Sequence, residues 1–351
     1  DEMLGVDIVI PDISYLIKNK TKIRGIVLTH GHEDHIGAIP YLLKKINIPI
    51  YGTRLTIGLL QTKLKEHNLG EVNLNVVSHQ EHYKLGVFDV EFIRASHSIP
   101  DSSSIAITSP VGTIIHTGDF KIDFTPISGD IMDLNRFAEL GNKGVLALLS
   151  DSTNVVRPGY TMSESTVGET FRELFSQAKS RIIVATFASN VHRIQQIINA
   201  AELNNRKIIL SGRSMVNVTT VANELGYLDV QEGTIIDIND MNKYDGDQLV
   251  IVTTGTQGEP MSALTRIANS EHRKIELSSE DLVIISATPI PGNEKTVSKI
   301  INKIIENGTK VVYESLAEVH VSGHACQEEL KTILALTKPK YFIPAHGEPR
   351  H

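Results

Sequence analysis

The segment 28-LTHGHEDHIG-37 sets His30, His32, Asp34 and His35 within six positions, directly after an apolar, β-branched run at 24–29. A run of that composition forms a strand, and the apolar spacing at 35–46 predicts a helix after it. The four side chains are therefore expected at a strand-to-helix turn. In extended chain, residues i and i+2 point the same way, so His30 and His32 can grip one ion. The chain then turns, and Asp34 and His35 can face a second ion. Imidazole nitrogen and carboxylate oxygen suit Zn²⁺, with Mn²⁺ as the lesser alternative. The absence of cysteine ligands favours a hydrolytic site over a structural zinc knot. The bland alternative is a polar loop of solvated histidines.

Two ions need more ligands, and these should come from other strand ends. His97 in 94-RASHSIPDS-102 follows a strand-like run, as do Asp119 in 116-HTGDF-120 and His346 in 344-PAHGE-348. Taken singly, each reads as a hydrogen-bonded surface residue. Together with the first four they make a set for two ions. The natural division gives His30, His32 and His97 to one ion and Asp34, His35 and His346 to the other, with Asp119 bridging.

The rest of the chain is organised in two rhythms. Between 24 and 150, strand-like runs at 74–78, 87–95, 104–109, 113–118 and 145–150 accompany only two clear helical patterns, at 35–46 and 54–67, which suggests stacked sheets. From about 160, strand candidates at 181–187, 207–211, 249–254, 282–287 and 310–314 alternate with helical patterns, the pattern of a mostly parallel sheet. The helix expected at 166–179 opens with a capping-box-like Thr166-x-x-Glu169. A helix at 327–337 and a strand at 340–346 close the chain. The 351 residues allow two domains, or one large domain with an insertion. Hydrophobic residues at 41% and charged residues at 21% exclude a disordered chain. The net charge of −7 argues against a protein that coats nucleic acid through bulk charge, but permits a local basic groove. A single cysteine, Cys326, excludes an intrachain disulfide and fits a reducing, cytoplasmic setting. No run reaches the ~20 apolar residues of a membrane span.

The order H-x-H-x-D-H, then His, Asp and a late His, resembles the metallo-β-lactamase superfamily of hydrolases. The α/β insertion before the last histidine resembles the β-CASP branch, whose members are nucleases. Asp151 in 148-LLSDST-153 and His324 in 319-VHVSGHACQEEL-330 match that branch's acidic and histidine motifs, and His346 matches a histidine of its RNA-acting members. Over essentially its whole length the chain resembles the ribonuclease J family, through 184-VATFASNVHRIQQ-196, 211-SGRSM-215, 254-TGTQGEPMSAL-264, 287-ATPIPGNE-294 and 341-YFIPAHGE-348. The fold implied is α/β: a metallo-β-lactamase αββα sandwich in two parts, 1–160 and 316–351, with an inserted α/β β-CASP domain at 161–315. The family's N-terminal strands and C-terminal domain are expected to lie outside this chain, as the ordered part of a longer protein.

The resemblance implies a zinc-dependent ribonuclease. It would hydrolyse RNA phosphodiesters with a hydroxide that two ions activate, as a 5′→3′ exonuclease preferring 5′-monophosphate ends and as an endonuclease, in bacterial mRNA decay and rRNA maturation. Asp34, Asp151 and His324 would be catalytic, with Asp151 orienting the hydroxide or a ligand histidine and His324 serving the leaving oxygen or a phosphoryl oxygen. For Asp151 a turn-capping role, and for His324 a surface position at a helix start, remain open alternatives. The 5′-phosphate would sit at His320, Ser322 and Gly323, whose small residues admit backbone N–H groups to an anion. Ser189, Asn190, Arg193, Arg213 and Ser214 would touch RNA, against the alternative of helix caps and solvated charges. The implied partners are RNA and either further copies of the chain or a paralogous subunit. Rival functions are a catalytically silent RNA-binding scaffold and a small-molecule metallo-hydrolase. His67, His79, His82, His272 and His351 are expected at the surface, His192 more at the surface than in a cleft, and His116 packed behind Asp119.

Overall fold

The computed structural model describes Val6 and residues 8–129 and 131–351. Among these residues lie fifteen strands in three sheets. Strands β1 (Ile26–Val27), β2 (Ile50–Gly52) and β3 (Leu74–Val76) form a small parallel sheet in that order. Strands β4 (His82–Leu85), β5 (Phe88–Arg94), β6 (Ser103–Ser109), β7 (Gly112–His116) and β8 (Ala147–Asp151) continue as a second sheet. Four of its pairings are set by direction: β4 to β7 are antiparallel neighbours, and β7 and β8 run parallel.

The chain then builds a separate, wholly parallel sheet. It comprises β9 (Ile182–Ala185), β10 (Lys207–Ser211), β11 (Ile235–Ile236), β12 (Leu249–Thr253), β13 (Leu282–Ile285) and β14 (Lys310–Tyr313), in the order β11-β10-β12-β9-β13-β14. Every residue of β9, β12 and β13 is buried. These Val/Ile runs carry no alternation because helices cover both faces. Finally β15 (Tyr341–Ala345) returns to the second sheet and pairs in parallel with β8.

The layers follow from where the apolar side chains go. Val77, Val90, Phe92 and Ile105, with Val27 and Tyr51, fill the space between the first two sheets. Ile93, Ile115 and Leu148 pack on Phe137, Leu140 and Ile333, so helices 134–143 and 327–337 cover the outer face of the second sheet. Leu55 and Leu60 of helix Arg54–Glu66 and Leu42 of helix Ile39–Leu43 join a core that continues into the insertion. The result is helix, sheet, sheet, helix, with an α/β unit attached, the architecture that the resemblance implied.

Three local expectations are corrected. The helix expected at 35–46 is two short ones, Glu33–Ile36 and Ile39–Leu43. Pro40 opens the second and has no N–H to bond back into the first. The expected box at Thr166 and Glu169 does not form. Helix Ser165–Gln177 starts one residue earlier, and Thr166 Oγ1 donates to the carbonyl of Ser163 at 2.9 Å. Helix Leu134–Lys143, which lay outside the two clear patterns, is capped by Asp133 accepting from Arg136 N.

Candidate metal centre

Strands β5, β7, β8 and β15 all run the same way, because β6 is antiparallel to both β5 and β7. Their C-terminal ends therefore open on one edge. His97 follows β5, Asp119 follows β7, Asp151 ends β8 and His346 follows β15. The loop after β1 brings His30, His32, Asp34 and His35 to the same place from the facing sheet. Ligands commonly bind at the carboxyl ends of strands in such sheets.

Three overlapping groups of possible ligands result. His30, His32, His97 and Asp119 offer donor atoms within 4.8 Å of one another, and so do Asp34, His35, Asp119 and His346. Asp119 Oδ2 is the hub: it lies 3.7 Å from His30 Nε2, 3.2 Å from His35 Nε2, 3.8 Å from His97 Nε2 and 3.7 Å from His346 Nε2. Asp34 Oδ2 lies 3.0 Å from His346 Nε2 and 3.4 Å from His35 Nε2. A third overlapping group, Asp119, Asp151, His324 and His346, meets the same 4.8 Å limit.

The surroundings aim these atoms inward. His97 Nδ1 is 2.7 Å from the carbonyl of Gly323. That carbonyl only accepts, so Nδ1 carries the proton and Nε2 keeps its lone pair for the centre. His30 Nδ1 is 3.0 Å from Thr29 Oγ1. His30 Nε2 is buried, has no hydrogen-bond partner and lies 3.7 Å from Asp119 Oδ2. His32 instead turns Nδ1 to 3.1 Å from His97 Nε2. An orphaned buried polar atom is costly, and a cation in this group would satisfy His30 Nε2. The donor set, nitrogen-rich with one shared carboxylate, thus fits divalent ions of the zinc type. His346 adopts φ 58°, a left-handed conformation uncommon in a non-glycine residue and often found at functional sites.

Charge divides the two groups. Burial, reinforced by the facing histidines, holds His30 and His97 well below the usual histidine range. Burial lowers His32 to about 4. All three are thus neutral imidazoles at pH 7, the form that binds metal. In the second group, burial opposes the charged form of His35, but bonds to Asp119 and Asp34 outweigh it and raise the group to about 10. The bond to Asp34 raises His346 to about 9. Burial works against the Asp34 and Asp119 carboxylates, yet the bonds from His346 and His35 hold both far below the ordinary range.

The segment 320–324 closes over this edge. His324 Nδ1 is 2.8 Å from Asp151 Oδ2, and its ring lies 5.1 Å from that of His97 and 5.5 Å from that of His346. Ser322 Oγ accepts from Asn154 Nδ2 at 2.8 Å, and Gly323 is fixed by its bond to His97. His320 is half-buried beside Arg193 and Arg157; burial first, then those cations, push it down to about 3. Thr153 was not singled out in the sequence. Its Oγ1 donates to Asp151 Oδ1 at 2.7 Å and lies 2.9 Å from His346 Nδ1.

The insertion residues part company. Arg213 and Ser214 are exposed and line a cavity of about 540 Å³ whose opposite wall carries Gly31 and Glu33. Arg266 adds a cation there, and Lys63 stands beside it paired with Glu33 at 2.7 Å. Arg193, by contrast, is fully buried, which corrects its expected contact with RNA. Its guanidinium pairs with both oxygens of Glu164 at 2.5 and 3.0 Å and donates to the Val319 carbonyl at 3.0 Å. Asn190 is buried too, and its side chain caps helix Val191–Leu203 by accepting from Arg193 N. Ser189, one residue before, is half-buried. Five expected surface histidines are also half-buried: His67, His351, His79 against Ser103 Oγ at 3.0 Å, His272 against Ser211 Oγ at 3.3 Å, and His192 against Ser128 Oγ at 3.2 Å. His116 accepts from Gly118 N behind Asp119.

An αββα sandwich with clustered histidines and carboxylates at one sheet edge defines a metallo-β-lactamase-type protein. Residues 7–181 match the metallo-beta-lactamase superfamily, 179–304 the ribonuclease J beta-CASP domain, and 309–351 the Zn-dependent metallo-hydrolase RNA specificity domain. The chain belongs to the ribonuclease J family. Ribonuclease J of Helicobacter pylori is 50% identical over 99% of this chain and 51% of its own length. Ribonuclease J of Synechocystis is 50% identical over 100% and 55%, and ribonuclease J2 of Bacillus subtilis 45% identical over 100% and 63%. The chain thus spans roughly half to three-fifths of these relatives. A solved protein of unknown function from Enterococcus faecalis shares the fold, with TM-score 0.66 and 16% identity over 99% of this chain and 86% of its own.

Proposed function

We propose that this chain carries the catalytic centre of a two-zinc ribonuclease that acts on single-stranded RNA from 5′-monophosphate ends and also internally. The observation that carries this is Asp119 Oδ2, placed within 3.8 Å of four histidine Nε2 atoms from two ligand groups. Two divalent cations, when bound, acidify water and offset charge on the attacked phosphate. His30, His32 and His97 would hold one cation, Asp34, His35 and His346 the other, with Asp119 between. Thr153 and Asp151 hold the outer atoms of His346 and His324. With Nδ1 on Asp151, His324 presents Nε2 to deliver a proton to the departing 3′ oxygen. The amides of Ser322 and Gly323, beside His320, would receive the 5′-phosphate, and Arg213 and Ser214 would line the RNA path.

RNA decay and rRNA maturation in the bacterial cytoplasm, and assembly with like or paralogous subunits, follow the family. No described helix is long and apolar enough to cross a membrane. The deciding experiment measures bound metal per chain and cleavage of the same oligoribonucleotide with a 5′-monophosphate or a 5′-triphosphate. Two equivalents of zinc and faster decay of the monophosphate substrate support the function. Metal-free protein that binds RNA without turnover would make it a scaffold. Turnover of small esters alone would make it a different hydrolase on this fold.

A further inference from the structure

We propose that Asp101 and Tyr227 are positioning residues that form an interdomain latch, fixing the insertion over the metal-ligand edge. Asp101 lies four residues after His97 and adopts φ 65°. Its loop is fastened on the sandwich side by helix Arg54–Glu66. Thr53, the N-cap of that helix, makes no side-chain cap bond within it; its Oγ1 instead donates to the Asp101 carbonyl at 2.8 Å. Leu55 N donates to Asp101 Oδ2 at 3.2 Å. Asp101 thus caps the helix from another loop, satisfying an amide that the helix leaves free.

The same oxygen receives Tyr227 OH at 2.7 Å from the insertion. Tyr227 follows helix Arg213–Glu224 through Gly226 in the left-handed conformation, and its own N–H closes on Ala222 O at 2.8 Å. The two helices touch closely. A Cβ on Gly58 would sit 2.7 Å from Leu225 Cδ1 and 3.1 Å from Val221 Cγ1. At the other end of the pair, Asn217 Nδ2 donates to Glu66 Oε1 at 3.2 Å, but that bond is exposed. The partly buried phenol-to-carboxylate bond is the stronger fastening, since hydrogen bonds to charged groups exceed neutral ones. It stands at the wall of a second cavity, about 340 Å³, that also contains His97. One carboxylate therefore ties together the His97 loop, the sandwich helix and the insertion. A chain-like substrate spanning both domains needs that alignment; bond breaking at the metal edge does not.

Because the latch rests on the ribonuclease function proposed for the cleft, its test has two arms without RNA. Tyr227→Phe removes only the hydroxyl. With metal-loaded protein, KM for a 5′-monophosphorylated oligoribonucleotide is expected to rise about tenfold while kcat stays within about twofold. Hydrolysis of bis(p-nitrophenyl) phosphate is expected to be unchanged. Spin labels on cysteines replacing the exposed Lys84 and Lys243 report the distance between sandwich and insertion, which should broaden in Tyr227→Phe. Asp101→Asn keeps an acceptor for the phenol and should raise KM less than Tyr227→Phe does. An unaltered distance distribution, or equal loss on both substrates, overturns the latch. If wild-type protein fails on RNA, the ribonuclease function falls and the label distances still decide the latch.

Discussion

His324 Nδ1 lies 2.8 Å from Oδ2 of Asp151, whose carboxylate is buried and whose other oxygen receives Thr153 Oγ1 at 2.7 Å. Burial disfavours a charged His324, yet the bond to Asp151 raises it above the usual histidine range. Asp151→Asn keeps the shape of this arrangement and removes the charge. RNA cleavage should fall by about 10²-fold, the ordinary worth of one positioned acid–base group, with bound metal retained. Single-turnover cleavage measured beside metal content checks this. Loss of metal in step with activity would make Asp151 a ligand instead.

Asp119 and Asp34 should differ in what their loss removes. Asp119 is almost wholly buried and belongs to all three ligand groups, whereas Asp34 is exposed and belongs to one. Asp119→Ala should therefore abolish binding of both cations. Asp34→Ala should remove one equivalent and abolish cleavage while leaving RNA binding largely intact. Metal analysis after gel filtration, with a filter-binding assay on RNA, reads both outcomes.

Much of this centre was legible because ligand chemistry is local. His30 to His35 announce themselves by type and spacing, and strand ends gather His97, Asp119 and His346. What was not legible depends on distant partners. Arg193 opens a helix in a polar stretch, and nothing nearby says that Glu164, 29 residues earlier, and Val319, 126 residues later, will enclose it. Asn190 looked the same as a ligand contact or a cap until the helix start was known. Thr153 carries no metal-type chemistry, so its place between Asp151 and His346 emerges only from the parallel pairing of β8 and β15. The expected helix at 35–46 failed on Pro40, a breaker visible in the sequence but outweighed by apolar spacing.

Gly323 has no room for a side chain. A Cβ there would lie 2.7 Å from His97 Cε1 and 2.8 Å from His97 Nδ1. The ring cannot yield cheaply, because its Nδ1–H is bonded to the same residue's carbonyl. Gly323→Ala should turn His97 away from His30 and His32. One equivalent of metal and roughly 10–100-fold in activity should be lost, as for other changes to a ligand's hydrogen-bond partner. Circular dichroism should stay native. Full metal content in this variant would sink the placement of His97 in the first group.

Arg193 and Arg213 make opposite predictions from the same side-chain type. Arg193→Met leaves the Glu164 carboxylate buried and without its ion-pair partner, so the chain should lose about 3–5 kcal/mol in urea unfolding. Gln196 Nε2 still donates to Glu164 Oε1 at 3.0 Å, but a neutral amide does not replace the guanidinium. Arg213→Ala touches an exposed residue at the 540 Å³ cavity and should leave stability unchanged. Its effect should appear in the salt dependence of RNA binding, where each phosphate contact on a single strand contributes about 0.7 to the slope of log K against log salt. Equal slopes for wild type and Arg213→Ala, alongside an unweakened Arg193→Met, would reverse both assignments, since the buried pair would then contribute nothing and the cavity arginine would meet no phosphate.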